Sequence, residues 1–202
     1  MVATCSRIYV ACLASYNAGT LHGRWIDADQ DADDIREEIA AMLRESPYPN
    51  VTVDCEECDG DSRAGCSFCK GTGQVPSAEE YAIHDYEGFE GIKIGEHEDI
   101  DTVAELVQAI DQRGEAFAAW WNNENRDDVD MDAFLDAYAG TYKSEEEYAE
   151  EFVEECYADI LKSLPDFIRY HIDYEGIARD FQLGGDVWYH HGDEGVHVFR
   201  NV

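Results

Sequence analysis

Arg7-Ile8-Tyr9-Val10-Ala11-Cys12-Leu13 is a run rich in apolar and β-branched residues, followed by the turn signal Asn17-Ala18-Gly19 and by the segment Leu21 to Ile26. Two strand-like runs flanking a turn predict a pair of returning strands. The period then changes. From Asp31 to Glu45, the residues Ile35, Ile39, Met42 and Leu43 recur at i, i+4, i+7 and i+8, which predicts a helix with one buried face. Pro47 and Pro49 end it, because proline lacks the amide hydrogen a helix interior needs. Tyr81 to Tyr86 is a further strand candidate. A sheet with a helix places the chain in the α+β class.

Beyond residue 98 the pattern is helical. Thr102-Val103-Ala104-Glu105 fits a capping box, Val103, Leu106, Val107 and Ile110 form an apolar stripe, and Gly114 is expected to stop that helix. Short helices are expected around Phe117, Trp120 and Trp121 and around Met131, Phe134, Leu135 and Tyr138. Gly140 opens the last part. Ser144 to Glu147 is a second capping box leading a helix that Pro165 terminates at the latest, and Asp173 is expected to cap another running through Ala178 to Phe181 before Gly184-Gly185 breaks it. Val187-Trp188-Tyr189-His190 and Val196-His197-Val198-Phe199 flank Gly192-Asp193-Glu194-Gly195, a β-hairpin signature. The expected division is an N-terminal α+β domain (1–98), a central helical domain (99–139) and a C-terminal α+β domain (140–202).

Charge narrows the function. The 202 residues carry 46 Asp+Glu against 14 Lys+Arg, a formal −32, with an ordinary 45% hydrophobic share. The chain can bury real cores, but its surface repels phosphate, so direct nucleic-acid binding is excluded and anionic membranes are disfavoured. A basic partner, such as a DNA-binding groove, is favoured instead. No stretch approaches the ~20 apolar residues of a membrane span, and the run after Arg7 is too short for a signal peptide. Cys5, Cys12 and Cys156 are expected as buried thiols, consistent with the reducing cytoplasm.

The other four cysteines have metal spacing. Cys55-x-x-Cys58 and Cys66-x-x-Cys69 are two knuckles, each followed by a glycine that permits a tight path around a bound sulfur. Four free thiols or a redox pair is the competing reading; one structural Zn²⁺ is the expected one. A four-cysteine set leaves no open position for catalysis and adds two negative charges to the chain. Val51-Thr52-Val53 and Gln74-Val75 flank the knuckles and are expected to pair, so that residues 51–76 form a zinc hairpin inserted into the first domain. The segment resembles one zinc module of the DnaJ cysteine-rich region, with Asp61 where that pattern has a second glycine.

The acidic residues are clustered. Asp27, Asp29, Asp31, Asp33, Asp34, Glu37 and Glu38 form one run; Glu96, Glu98, Asp99 and Asp101 a second; Glu124, Asp127, Asp128, Asp130, Asp132 and Asp136 a third. The densest contains Glu146, Glu147, Glu150, Glu151, Glu154 and Glu155, of which Glu147, Glu150, Glu151 and Glu154 share a helix face at roughly 5–6 Å spacing. Like charges at that spacing disfavour the helix by a few tenths of a kcal/mol each. A solvated face and halophilic adaptation (the only lysines are Lys70, Lys93, Lys143 and Lys162) are the plain explanations; phosphate mimicry is the functional one. Catalytic residues are not expected. His190 and His191 are adjacent in a strand and point to opposite faces, His84 beside Asp85 reads as structural, and the glycine pairs lack the lysine of a phosphate loop.

Three segments carry a family resemblance. Tyr9-Val10-Ala11 with Tyr16-Asn17-Ala18-Gly19 and Leu21-His22-Gly23-Arg24-Trp25, then Glu80-Tyr81-Ala82-Ile83-His84-Asp85-Tyr86-Glu87, then Tyr170-His171-Ile172-Asp173-Tyr174-Glu175 with Ala178-Arg179-Asp180, resemble the ArdA antirestriction proteins in the family's order. The resemblance implies an elongated chain of three small domains, a homodimer formed through the C-terminal one, and inhibition of type I restriction-modification enzymes by imitation of bent duplex DNA. Familiar members carry no zinc module, so the insert is a departure. The alternative is a zinc-dependent protein-interaction adaptor whose acidity is incidental.

Overall fold

The computed structural model describes residues 6–62, 66–124 and 128–201. Cys5 lies outside the described residues. Packing divides the chain into two compact units, Met1–Gln112 and Arg113–Val202. Both contain helices and an antiparallel sheet, so the class is α+β.

In the first unit, β1 (Arg7–Cys12) is the central strand of three. It pairs antiparallel with β2 (Gly23–Asp27) on one side and, further along the chain, with β5 (Tyr81–Glu87) on the other. Ile8, Val10, Ala11 and Cys12 are buried, as a central strand's apolar run requires. A one-turn helix, α1 (Leu13–Asn17), makes the reversal between β1 and β2. Helix α2 (Ala32–Arg44) packs on β1 and β2 through the expected stripe, with Ile35, Ile39, Met42 and Leu43 all buried. A separate hairpin, β3 (Val51–Asp54) and β4 (Gln74–Ser77), pairs Val53 with Val75. It returns to the domain where the Ala78 N–H donates to the Leu43 carbonyl at 3.1 Å.

Helix α3 (Ile100–Glu124) begins one turn earlier than the Thr102 capping box predicts. Asp99 supplies the cap: its Oδ1 accepts the Asp101 N–H at 3.1 Å and its carbonyl accepts the Val103 N–H at 2.9 Å. Ile100 is 2% exposed, and burying it draws the helix start upstream. Gly114 does end the first helical stretch, as expected, because its backbone is non-helical. At φ 55° and ψ −140° it makes a kink that a side-chain-bearing residue resists, and helix resumes immediately after it.

The second unit is built on aromatic packing. Phe117 and Trp120 after the kink, Phe134 from α4 (Met131–Ala137) and Phe199 are wholly buried. The Phe117, Trp120 and Phe134 rings lie 5.6–5.7 Å apart. The sheet order is β6-β8-β7, all antiparallel, with β6 (Tyr138–Tyr142), β7 (Val187–Gly192) and β8 (Gly195–Arg200). The β7–β8 hairpin matches its turn signal. Strand β6 replaces the end of the helix expected around Tyr138, because Tyr138 stacks on Phe134 at 5.1 Å while its backbone joins β8.

Helix α5 (Glu145–Cys156) is capped by Ser144, whose Oγ accepts the Glu147 N–H at 3.1 Å. It packs against α8 (Tyr174–Gly184) through Tyr148, Phe152 and Phe181, and Asp173 caps α8 by accepting the Gly176 N–H at 2.9 Å. Between them run α6 (Ala158–Ser163) and α7 (Asp166–Arg169). Cys12 is buried as expected, but Cys156 is exposed. It is the last residue of α5, at the helix end beyond Tyr148 and Ala149, the buried residues of that helix.

Glu115, just after the kink, pins the β7–β8 hairpin. Its carboxylate accepts the Asp193 N–H at 2.9 Å and faces His190 Nε2 at 3.4 Å and His197 Nε2 at 3.9 Å. His191 points the other way, to Glu145 at 3.0 Å. His197 is 4% exposed, its Nδ1 lies 3.0 Å from Thr141 Oγ1, and its Nε2 has no hydrogen-bond partner among the described residues. Burial holds this imidazole below the usual histidine range, with His190 acting in the same direction and Glu115 and Glu194 opposing. A depressed folded pKa means the unfolded chain takes up the proton first as pH falls. The stabilisation is complete above about pH 6.5 and is lost as pH drops through the folded value. Thermal melts between about pH 7.5 and 5.5 are therefore expected to show falling stability, and His197→Gln is expected to flatten that slope. An unchanged slope in the variant would show that another group governs it.

Candidate functional site: a four-cysteine hairpin beside an acidic surface

The β3–β4 hairpin brings its two knuckles together. Each closes in the same way: the Gly60 N–H donates to the Cys55 carbonyl at 3.2 Å, and the Gly71 N–H to the Cys66 carbonyl at 3.1 Å. The residue after each second cysteine is left-handed, Asp59 at φ 48° and Lys70 at φ 55°. Gly73 lets the two halves meet, since a Cβ there would lie 2.4 Å from the Gly60 carbonyl oxygen. All four Sγ atoms lie within 4.8 Å of one another, and the Cys55–Cys66 and Cys58–Cys69 separations are both 3.8 Å. A disulfide needs about 2.05 Å. A tetrahedron with metal–sulfur bonds of about 2.3 Å has edges of about 3.8 Å. The residues fit one tetrahedral metal ion.

Crowding the sulfurs sets their ionisations against one another. Burial pushes the Cys58 thiol up to about 12, with the neighbouring cysteines reinforcing it. Burial also acts upward on Cys69, but the Gly73 and Gly71 N–H groups and Cys66 outweigh it and bring Cys69 down to about 6. The Gly73 N–H lies 3.3 Å from that sulfur. Such a set can hold a soft divalent cation as thiolates, and four cysteines leave that ion no open position.

The acidic runs are mostly at the surface, and the tertiary structure joins two of them. Asp27, Asp29, Asp31, Asp33, Asp34 and Glu37 are exposed; Glu38 is half-buried and accepts the Gln30 amide at 2.9 Å. In the second run Glu96 and Asp99 are exposed, and half-buried Glu98 accepts the Gly95 N–H at 3.2 Å. Arg36 binds across both runs, reaching Asp33 at 3.2 Å, Asp99 at 3.5 Å and Asp101 at 2.6 Å. The Arg36 hydrogen bond holds the Asp101 carboxyl below the usual range, and Asp101 raises Arg36 in turn. The other cation of α2, Arg44, reaches Glu56 of the cysteine hairpin at 2.5 Å. Each arginine of this helix thus attaches a second acidic element to it.

In the second unit Asp130 caps α4 by accepting the Ala133 N–H at 2.9 Å, and Asp128 and Asp132 are exposed. Asp127 lies outside the described residues. On α5, Glu146, Glu150, Glu151, Glu154 and Glu155 are exposed. Glu147 is half-buried and differs from them: it binds Lys143 Nζ at 2.9 Å and the Lys143 N–H at 2.6 Å, which lowers its carboxyl pKa.

Sequence reasoning did not identify Arg36 and Arg44 as functional residues. Their signal was being the only cations within an acidic helix; their partners, up to 65 residues away, were not readable. Replacing Arg36 with Gln is expected to return Asp101 to ordinary carboxylate titration. The folded-state value is depressed, so the associated stability exists above the unfolded carboxylate pKa of about 3.9 and is lost in acid. A carboxyl-carbon NMR titration showing the same Asp101 midpoint in both proteins would contradict the staple.

A family model described as antirestriction protein (ArdA) matches residues 8–196, nearly the whole chain. No individually curated protein matches it. The match spans the β1–β2 segment, the β5 segment and the segment entering α8, the three stretches whose residues carry the resemblance. The chain belongs to the ArdA family of antirestriction proteins.

Proposed function

We propose that this antirestriction protein is a DNA mimic that inhibits type I restriction-modification enzymes by occupying the DNA-binding groove of their specificity and modification subunits. The observation that carries the reading is the Arg36 staple, which gathers the carboxylates of α2 and of the α3 start onto neighbouring ground despite their repulsion. A groove built for phosphate presents cations, and matched charge speeds encounter with it. The surface runs named above supply the anions in place of phosphates. The protein itself needs no nucleic acid, no membrane and no catalytic residue for this task, and it acts in the cytoplasm.

The proposal includes the division at residues 98 and 139 and a homodimer formed through the C-terminal part. Exposed apolar side chains between α5 and the end of α8, among them Tyr157, Ile160, Phe167, Tyr170 and Leu183, support a second copy covering that region. It also includes one structural Zn²⁺ on Cys55, Cys58, Cys66 and Cys69, supported by the 3.8 Å sulfur spacing.

Competition against duplex DNA for a type I modification core tests the function. Inhibition is expected to weaken as salt rises, because screening shortens the reach of exposed charge. Single changes Glu150→Gln or Glu154→Gln are expected to cost less than about fivefold, as exposed charges contribute little individually. Neutralising Glu146, Glu150, Glu151 and Glu154 together in both copies is expected to abolish inhibition at moderate salt. Loss of activity from one such single change would contradict a distributed field. Elemental analysis is expected to find one zinc per chain, and none in a Cys58→Ser, Cys69→Ser double variant that keeps its helical circular dichroism. Metal-free wild-type protein with an intact hairpin would remove zinc from the proposal.

A further inference from the structure

The cysteine hairpin is an expensive place for negative charge. Four thiolates around one divalent ion leave a net −2 at its centre, yet Asp54, Glu56, Glu57, Asp59 and Asp61 flank Cys55 and Cys58 along the chain, all exposed. The candidate metal set consists of the four sulfurs and draws on none of these carboxylates. Asp59 even occupies a left-handed position, at φ 48°, where glycine or asparagine serves equally well without charge. The hairpin also has a defined seat. Arg44, half-buried on α2, binds Glu56, and an open groove lined by Asp34, Glu37, Glu38, Arg44 and Glu56 runs from the helix onto the hairpin. The stripe Asp34, Glu37, Glu38 of α2 therefore continues into hairpin carboxylates that outnumber Arg44, which joins them, and the exposed Lys70 of the second knuckle.

We infer that the metal-binding hairpin is part of the partner-binding surface: it prolongs the carboxylate face of α2, and the metal–thiolate centre contributes to its negative field. The inference rests on the DNA-mimic reading and deepens it by giving the insert a role. The occupant is the basic groove that α2 itself faces, reached beyond the length α2 alone provides. Arg44 positions the hairpin for that contact and does not itself touch the partner.

The test uses the full chain. Asp54→Asn, Glu57→Gln, Asp59→Asn and Asp61→Asn are combined, leaving Glu56 to its pair with Arg44 and all four cysteines in place. Metal content and circular dichroism confirm that the variant folds. Competition against duplex DNA for a type I modification core is then measured across a salt series. The expected result is about tenfold weaker competition at low salt, a difference that closes as salt rises. A second readout is zero-length carbodiimide crosslinking of the wild-type complex, with lysines of the core expected to join Glu57, Asp59 or Asp61. Wild-type competition matched by the variant at every salt concentration, or crosslinks confined to other segments, would overturn the role of the hairpin while leaving the mimic intact. Failure of the wild type itself to compete would overturn the mimic reading and the inference with it.

Discussion

Mutual repulsion among carboxylates is the constraint that the rest of this structure answers. Each acidic helix face is opposed by its own like charges, so each helix must be held by something else. In the first unit the counterweight is the apolar stripe of α2 against β1 and β2, reinforced at two points where arginines bridge to distant acids. In the second it is an aromatic core around Phe134 and Phe199, together with N-terminal caps at Ser144 and Asp173. Charge is tolerated because it sits outside cores that are complete without it.

The arginines do more than neutralise. A cation in contact with two or three carboxylates leaves a net negative site while fixing the positions of its partners. Arg36 does this for Asp33 on α2 and for Asp99 and Asp101 at the start of α3, while Arg44 pairs with Glu56 of the cysteine hairpin. A surface of anions needs such fixed points to have a shape, and shape distinguishes a mimic from a merely acidic protein. Membership of the ArdA family supplies the biological setting, antirestriction, in which such a surface has a use.

The cysteine hairpin obeys the same rule on a smaller scale. Its strands are four residues each and bury little, so the tight approach of Gly73 to Gly60 and the convergence of four sulfurs give it rigidity. Burial and N–H donors act on the thiols in opposite directions, which leaves a set whose charges a divalent ion can balance only in part.

Much of this was legible in the chain. The period of Ile35, Ile39, Met42 and Leu43, the caps at Ser144 and Asp173, the β7–β8 turn and the cysteine spacing are local signals, and each specifies its element through contacts within a few residues. The exceptions lie where distant packing overrules local preference. Ile100 draws α3 upstream of its apparent cap, Tyr138 leaves a helical pattern to pair with β8, and Cys156 ends up in solvent because the buried stretch of α5, at Tyr148 and Ala149, stops short of the helix end. By itself the sequence determined that the protein is acidic, α+β and equipped with a metal-spaced cysteine set. Only the tertiary structure decided which acids stand together, because a carboxylate's neighbours across the surface are set by sheet order and by two arginines whose partners lie far along the chain.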